Sequence, residues 1–394
     1  IQRVVRSILK CWLETPPPGV DIVPVYAGEP GQGYCRASRF LAGFTDEQSE
    51  ASDTDDLVDF QAGDVFIGLD LNPGVTAQQG FLRRIRNQGV LTYFVVYDML
   101  PAKMPGSFFD EGVAPAFAAW LRVVAEANGA LCISRAVEAE LSDWLCSSDE
   151  TSQQPRRPFQ LGWFHLGADI DNSRPTSGLP GDWQSVEAMT RRSPCFLMVG
   201  TLEPRKGHAE VLDAFEKLWA DGVDASLVIV GKKGWHVEGL AKRIHEQPMY
   251  MQSLAWLEAV SDECLQRVYS EADCLIAASL GEGFGLPLIE AEQHGLPILA
   301  RDIPVFREVA GDYATYFGTA ETPDLAGAIK NWLKSYTDKR ERSSVGMPFM
   351  TWKQSAEMLA ELILSKTKSQ SISSDASILT VSVQPTNSPN RALA

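Results

Sequence analysis

No apolar run in this sequence reaches the roughly 18 residues that a membrane-spanning helix needs, and its opening, IQRVVRSILKCWLE, interrupts its apolar positions with charge where a signal peptide would not. A soluble protein without a visible export signal is therefore expected. Cysteine is sparse, with seven residues (Cys11, Cys35, Cys132, Cys146, Cys195, Cys264, Cys274), an odd number without close pairs. This argues against a disulfide framework or a zinc site and fits buried thiols in a reducing cytosol. The five histidines form no H-E-x-x-H or similar cluster. Positive charge is also short, 35 basic residues against 51 acidic ones for a net charge of −16. A surface that acidic repels nucleic acid and anionic lipid as a whole, so any phosphate site must be small and locally basic. The scarcity makes each basic cluster informative.

What is present is a rhythm. At 394 residues the chain exceeds the size at which one core keeps growing, so two domains are expected. Short apolar runs read as buried strands: DVFIGLD (64–70), VLTYFVVYD (90–98), GALCISR (129–135), CFLMVGT (195–201), ASLVIVG (225–231), DCLIAAS (273–279) and LPILARD (296–302). Amphipathic stretches such as APAFAAWLRVVAEANG and GHAEVLDAFEKLWADG lie between them. Continuously apolar strands, each followed by a helix, indicate parallel sheets covered on both faces. The fold class is α/β, with two Rossmann-like domains. The expected division is an N-terminal domain over 1–175, a linker over 176–192, a C-terminal domain over 193–350, a helix over 351–365 and a disordered tail or linker over 366–394. The polar, proline- and glycine-bearing segment DNSRPTSGLPGDWQS marks the boundary. The chain opens on Ile1, already inside a helical pattern with no strand before it, so the first domain is expected to lack its first strand. Asp53-Thr54-Asp55 spells a D-x-D of the kind that holds a metal-bound sugar nucleotide, but its acidic, apolar-poor surroundings favour a solvated loop.

Ligands of open parallel sheets bind beyond the carboxyl ends of the strands. At one such end, after Gly200, stand Arg205 and Lys206. A guanidinium that grips two oxygens beside a compact ammonium suits a diphosphate. Read alone, the pair also fits the neutralisation of a helix C-terminus. Lys232 and Lys233 hold an equivalent place after another strand and are weaker candidates. The second half of the site is SLGEGFGLPLIEAEQHGLPILA, 279–300. Its glycines let backbone approach a ligand, Pro287 marks a helix start, and the N–H groups there suit phosphate oxygens. Glu282 and Glu290 accept hydrogen bonds from hydroxyls and repel phosphate, so sugar hydroxyls on either side of a diphosphate are their natural partners.

The Glu-x7-Glu of Glu282 and Glu290, with GTLEPRKGH (200–208) and VSDECLQRVYSEADCLIAASLGEGFGLP (260–287), resembles the retaining glycosyltransferases of the GT-B fold. YDMLP (97–101) adds a likeness to the mannosyltransferases of O-antigen and related polysaccharides. The resemblance runs over most of the chain and implies two Rossmann-like domains facing across a cleft that closes on the donor. It implies that Glu290 binds ribose hydroxyls of a nucleotide-sugar and Glu282 those of the transferred hexose, while Arg205 and Lys206 neutralise the leaving diphosphate. The backbone of Gly283, Phe284, Gly285 and Leu286 contacts sugar and phosphate, and Trp256 and Leu257 lie where a loop meets the base. No metal or other cofactor is implied, since the basic pair supplies the positive charge. Many relatives carry a histidine where this chain has Tyr97, which leaves Asp98 as the candidate on the acceptor side.

The function so implied is hexosyl transfer, from GDP-mannose, to a growing glycan or lipid-linked acceptor in surface polysaccharide synthesis. The enzyme is expected in the cytoplasm, in peripheral association with assembly enzymes at the inner membrane face. A catalytically inactive glycan- or partner-binding module and a sugar-nucleotide epimerase of the same fold are the alternatives.

Overall fold

The computed structural model describes residues 1–38, 56–108, 110–147, 155, 158–168, 176–181, 183–191, 194–337, 344–368 and 377–382. Asp53-Thr54-Asp55 lies outside them. The chain divides into two compact units. One comprises Ile1–Pro105, Glu111–Asp169 and Met350–Ala394, the other Gly106–Asp110 and Ile170–Phe349.

The first unit is built on seven strands: β1 (Val20–Ala27), β2 (Tyr34–Arg36), β3 (Val65–Gly68), β4 (Leu91–Val96), β5 (Gly129–Cys132), β6 (Gln160–Trp163) and, from the far end of the chain, β13 (Ser377–Ser382). Their order is β2-β1-β13-β3-β4-β5-β6, parallel except for β2. Every residue of β3, β4 and β5 is buried, as continuously apolar strands under two helical layers must be. The opening amphipathic pattern forms the helix Gln2–Glu14. Its apolar stripe of Val4, Val5, Ile8, Leu9 and Trp12 is buried, and the Trp12 indole donates to Ala356 O at 3.0 Å.

That partner belongs to the helix Trp352–Lys368, which is part of the first unit although it follows the second in sequence. Gly167 admits it: a Cβ there would lie 2.3 Å from Trp352 N. The tail expectation needs correction here. Ser377–Ser382 is a strand in the middle of the first sheet, paired with β1 over six residues and with β3 over four. Leu379, Thr380, Val381 and Ser382 are buried, and Ile378 N donates to Asp64 Oδ1 at 3.2 Å. Burial between two strands supplies the ladder hydrogen bonds that a serine-rich tail does not advertise. β13 thus lies between β1 and β3 in the sheet.

The second unit carries β7 (Cys195–Val199), β8 (Ser226–Val230), β9 (Leu254–Leu257), β10 (Cys274–Ala277), β11 (Ile298–Arg301) and β12 (Ala314–Phe317). The order is β12-β11-β10-β7-β8-β9 and all pairs are parallel. Its core packs Phe196, Phe215 and Trp332 edge to face. The expected linker over 176–192 contains the helix Trp183–Thr190, which clusters with this unit. All seven cysteines are free; Cys132, Cys195, Cys264 and Cys274 are buried, while Cys146 is exposed. No described helix is long and apolar enough to cross a membrane.

Candidate active site

The strand order puts β7 beside β10, so the segments that leave their carboxyl ends are neighbours. After β7 the chain passes Gly200, makes a short 3-10 turn over Pro204–Lys206, and reverses at Gly207 into the helix His208–Ala220. Gly207 has φ 80°, and a Cβ there would lie 2.3 Å from Ala278 O on the β10 side. The missing side chain is therefore what lets the basic turn lie against the second loop. After β10 the chain runs through Ser279, Glu282 and Gly285, at φ 107°, into the helix Leu286–Gln293, with Pro287 in its first turn. A hydrogen bond from Leu280 N to Arg205 O, 2.7 Å, joins the two segments.

Arg205, Lys206 and Glu282 converge. Lys206 Nζ pairs with Glu282 Oε1, and Arg205 reaches Oε2 at 3.3 Å and Gly281 O at 3.3 Å. Ser279 Oγ donates to Glu282 Oε1 at 2.7 Å. Burial pushes the Glu282 carboxyl up, but Lys206 and Arg205, with the hydrogen bonds from Lys206 and Ser279, outweigh it and hold the group at about 2. A second carboxylate, Glu203, only 2% exposed at its side chain, pairs with the other arm of Arg205 at 2.7 Å. Arg205 is thereby aimed by two anions at once. Behind the turn, His208 is buried, and burial with the nearby Lys206 lowers its pKa to about 3, so it is neutral at pH 7. Lys206, Ser279, Glu282, Gly285, Pro287 and Phe306 line one depression at this mouth.

Glu290 lies at the fifth helical position, just past the first turn, and is 5% exposed. Its Oε2 accepts from the Tyr269 hydroxyl at 2.8 Å. Gly283 and Phe284 are buried at the loop's inner side, and Leu286 opens the helix. Trp256 and Leu257 are not loop residues. They end β9 and are buried, and the Trp256 indole donates to Gly231 O at 2.8 Å. Lys232 and Lys233 are exposed after β8. Asp98 belongs to the other unit, just past β4, where it is half-buried and its Oδ1 accepts from Leu100 N at 3.0 Å. Tyr97 is buried there, with its hydroxyl on Leu69 O at 2.7 Å. Among the described residues no group of three or more His, Cys, Asp or Glu is placed to hold a metal.

Glu203, Ser279, Tyr269 and His208 went unread as site residues. Glu203 has the wrong charge for a phosphate site, and its value lies in orienting Arg205. Tyr269 is remote in sequence, and only packing brings it to Glu290.

Residues 183–344 match the family described as "Glycosyl transferases group 1". Over those residues the chain is similar to the group 1 glycosyl transferases. The chain is 40% identical over 365 residues to the serotype-specific mannosyltransferase WbdA of Escherichia coli, an alignment spanning 91% of the chain and 44% of WbdA. It thus covers less than half the length of that relative. It is 33% identical over 137 residues to the O-antigen chain mannosyltransferase RfbU of Salmonella typhimurium, over 34% of the chain and 37% of RfbU. Among solved structures it resembles Anabaena HepE, crystallised with UDP and glucose, at TM-score 0.52 and 16% identity, over 78% of each chain. The two parallel-stranded sheets match GT-B glycosyltransferase structures in fold.

Proposed function

We propose that the transferase domain is the donor half of a retaining mannosyltransferase that uses GDP-mannose to extend a surface polysaccharide. The observation that carries the reading is the meeting of Arg205, Lys206 and Glu282 at the adjoining ends of β7 and β10, with the buried carboxylate of Glu290 in the helix that follows. The likeness to WbdA and RfbU supports the choice of mannose and of a polysaccharide acceptor.

In this reading Arg205 and Lys206 take the diphosphate, Glu290 takes ribose hydroxyls and Glu282 takes hydroxyls of the hexose. The sugar passes through an oxocarbenium-like state while negative charge grows on the leaving diphosphate. Arg205, already fixed by Glu203, meets that charge without reorganising, and one well-placed group of this kind is worth about 3 kcal/mol of barrier. Attack comes from the face the diphosphate leaves, with a donor phosphate oxygen taking the acceptor's proton. No metal is needed, because the basic pair supplies the charge. Asp98 is assigned to the acceptor, a growing glycan or lipid-linked oligosaccharide at the cytoplasmic membrane face, where the enzyme associates peripherally with assembly enzymes.

Lys206→Ala and Glu290→Ala are each expected to abolish mannosyl transfer from GDP-mannose while leaving the circular dichroism spectrum unchanged. Near-native turnover in either variant overturns the assignment. Tight binding of nucleotide-sugars with no release of nucleoside diphosphate from any of a panel points instead to an inactive binding module.

A further inference from the structure

Glu290 is held from both ends of its residue. Tyr269, near the end of the helix Asp262–Glu271, is 2% exposed and donates its hydroxyl to Glu290 Oε2 at 2.8 Å. Its ring lies nearly flat against His294, with centroids 5.2 Å apart and planes 16° apart. His294 caps the helix that carries Glu290, and its Nδ1 lies 2.9 Å from Glu290 O. The phenol is thus fixed at its ring by the stack and at its oxygen by the carboxylate. Two helices that follow different strands, β9 and β10, meet through this hydrogen bond and the ring stack.

The terminal torsion of a glutamate is broad and roughly two-fold, so an unheld carboxylate turns among many planes. A buried one without donors is also strongly disfavoured. A donor on Oε2 settles both matters, since it satisfies that oxygen and sets the plane in which Oε1 meets a ligand. We propose that Tyr269 is a positioning residue for the donor: by orienting Glu290 it sets the site's preference for a ribose with free hydroxyls. The inference rests on the reading of Glu290 as the ribose-binding group.

The test is calorimetric titration of the full chain with GDP and with 2′,3′-dideoxy-GDP. Wild type is expected to bind GDP at least roughly tenfold more tightly, the effect of one hydrogen bond to a charged group. Tyr269→Phe removes one oxygen and keeps the stack on His294. It is expected to weaken GDP about tenfold while changing dideoxy-GDP less than about twofold, so that the ratio falls towards one. Glu290→Gln is expected to collapse the same ratio. A merely structural tyrosine weakens both nucleotides alike and leaves the ratio intact, and that result overturns the proposal. If Glu290→Gln collapses the ratio and Tyr269→Phe does not, the role of Tyr269 alone fails. If Glu290→Gln leaves it at the wild-type value, or wild type shows no preference, the ribose reading fails and this inference with it.

Discussion

Glu282 rests on the same two cations that the transfer reading assigns to the diphosphate. Its pKa of about 2 means that Glu282 stays ionised at neutral pH and is protonated only in strong acid. In that reading an incoming diphosphate competes with the carboxylate for Lys206 and Arg205 and releases Glu282 to the hexose. Glu282→Gln keeps the shape and removes the competitor. It is expected to bind free GDP roughly tenfold more tightly in a calorimetric titration while transfer is lost, since a charge-assisted contact is about twice as strong as a neutral one. Weaker GDP binding would show that Glu282 organises the cations rather than contesting them. At this scale the motif was legible, because glutamate, arginine, lysine and glycine each announce a narrow chemistry. The Glu203–Arg205 pair and the Tyr269–Glu290 bond were not, since a partner's identity depends on where side chains end up in space.

The seven strands read from the sequence are β3, β4, β5, β7, β8, β10 and β11, the uninterrupted apolar runs of the two sheets. The others were passed over for local reasons. Pro24 stands inside β1, and β13 is embedded in serine. β13 is held by residues more than 300 positions away, and its N-terminal end is gripped by Asp64, which also accepts from Gln61 N at 2.8 Å. Amides of Leu379–Ser382 are expected to exchange as slowly as those of β3 in a hydrogen-exchange experiment. Val381→Asp, which puts a charge at a fully buried position, should cost about 3 kcal/mol or more in urea unfolding and release β1 from protection. Rapid exchange along β13 in wild type would remove the strand from the sheet.

Two separate cores, one around Phe66, Phe94 and Trp120 and one around Phe196, Phe215 and Trp332, stabilise the two units. The first also buries a carboxyl. Asp70, two residues past β3, is 3% exposed and faces Tyr34, Tyr97 and Ser382 of β13. Burial, the dominant cause, raises its pKa to about 7. The folded unit therefore binds a proton that the unfolded chain, with a carboxylate value near 4, has released. Stability from this group is whole below about pH 4 and falls as pH rises towards 7, at no more than about 1.4 kcal/mol per unit. Urea titrations of the first unit at pH 5 and pH 8 should show the loss, and Asp70→Asn should flatten it. A profile that Asp70→Asn leaves unchanged assigns the dependence to other groups.

Composition and apolar runs determined the α/β class and two units, and the Glu-x7-Glu with its basic turn marked the residues of the candidate donor site. Those properties are local, written in the period of a strand, the charge of a side chain and the freedom of a glycine. Only the tertiary structure decided that the last strand enters the first sheet, that the helix after residue 351 packs on the first unit, and which side chains aim Arg205 and Glu290. Such choices follow from burial and hydrogen bonding between segments hundreds of residues apart, and no local pattern encodes which of many compatible partners a buried group will meet.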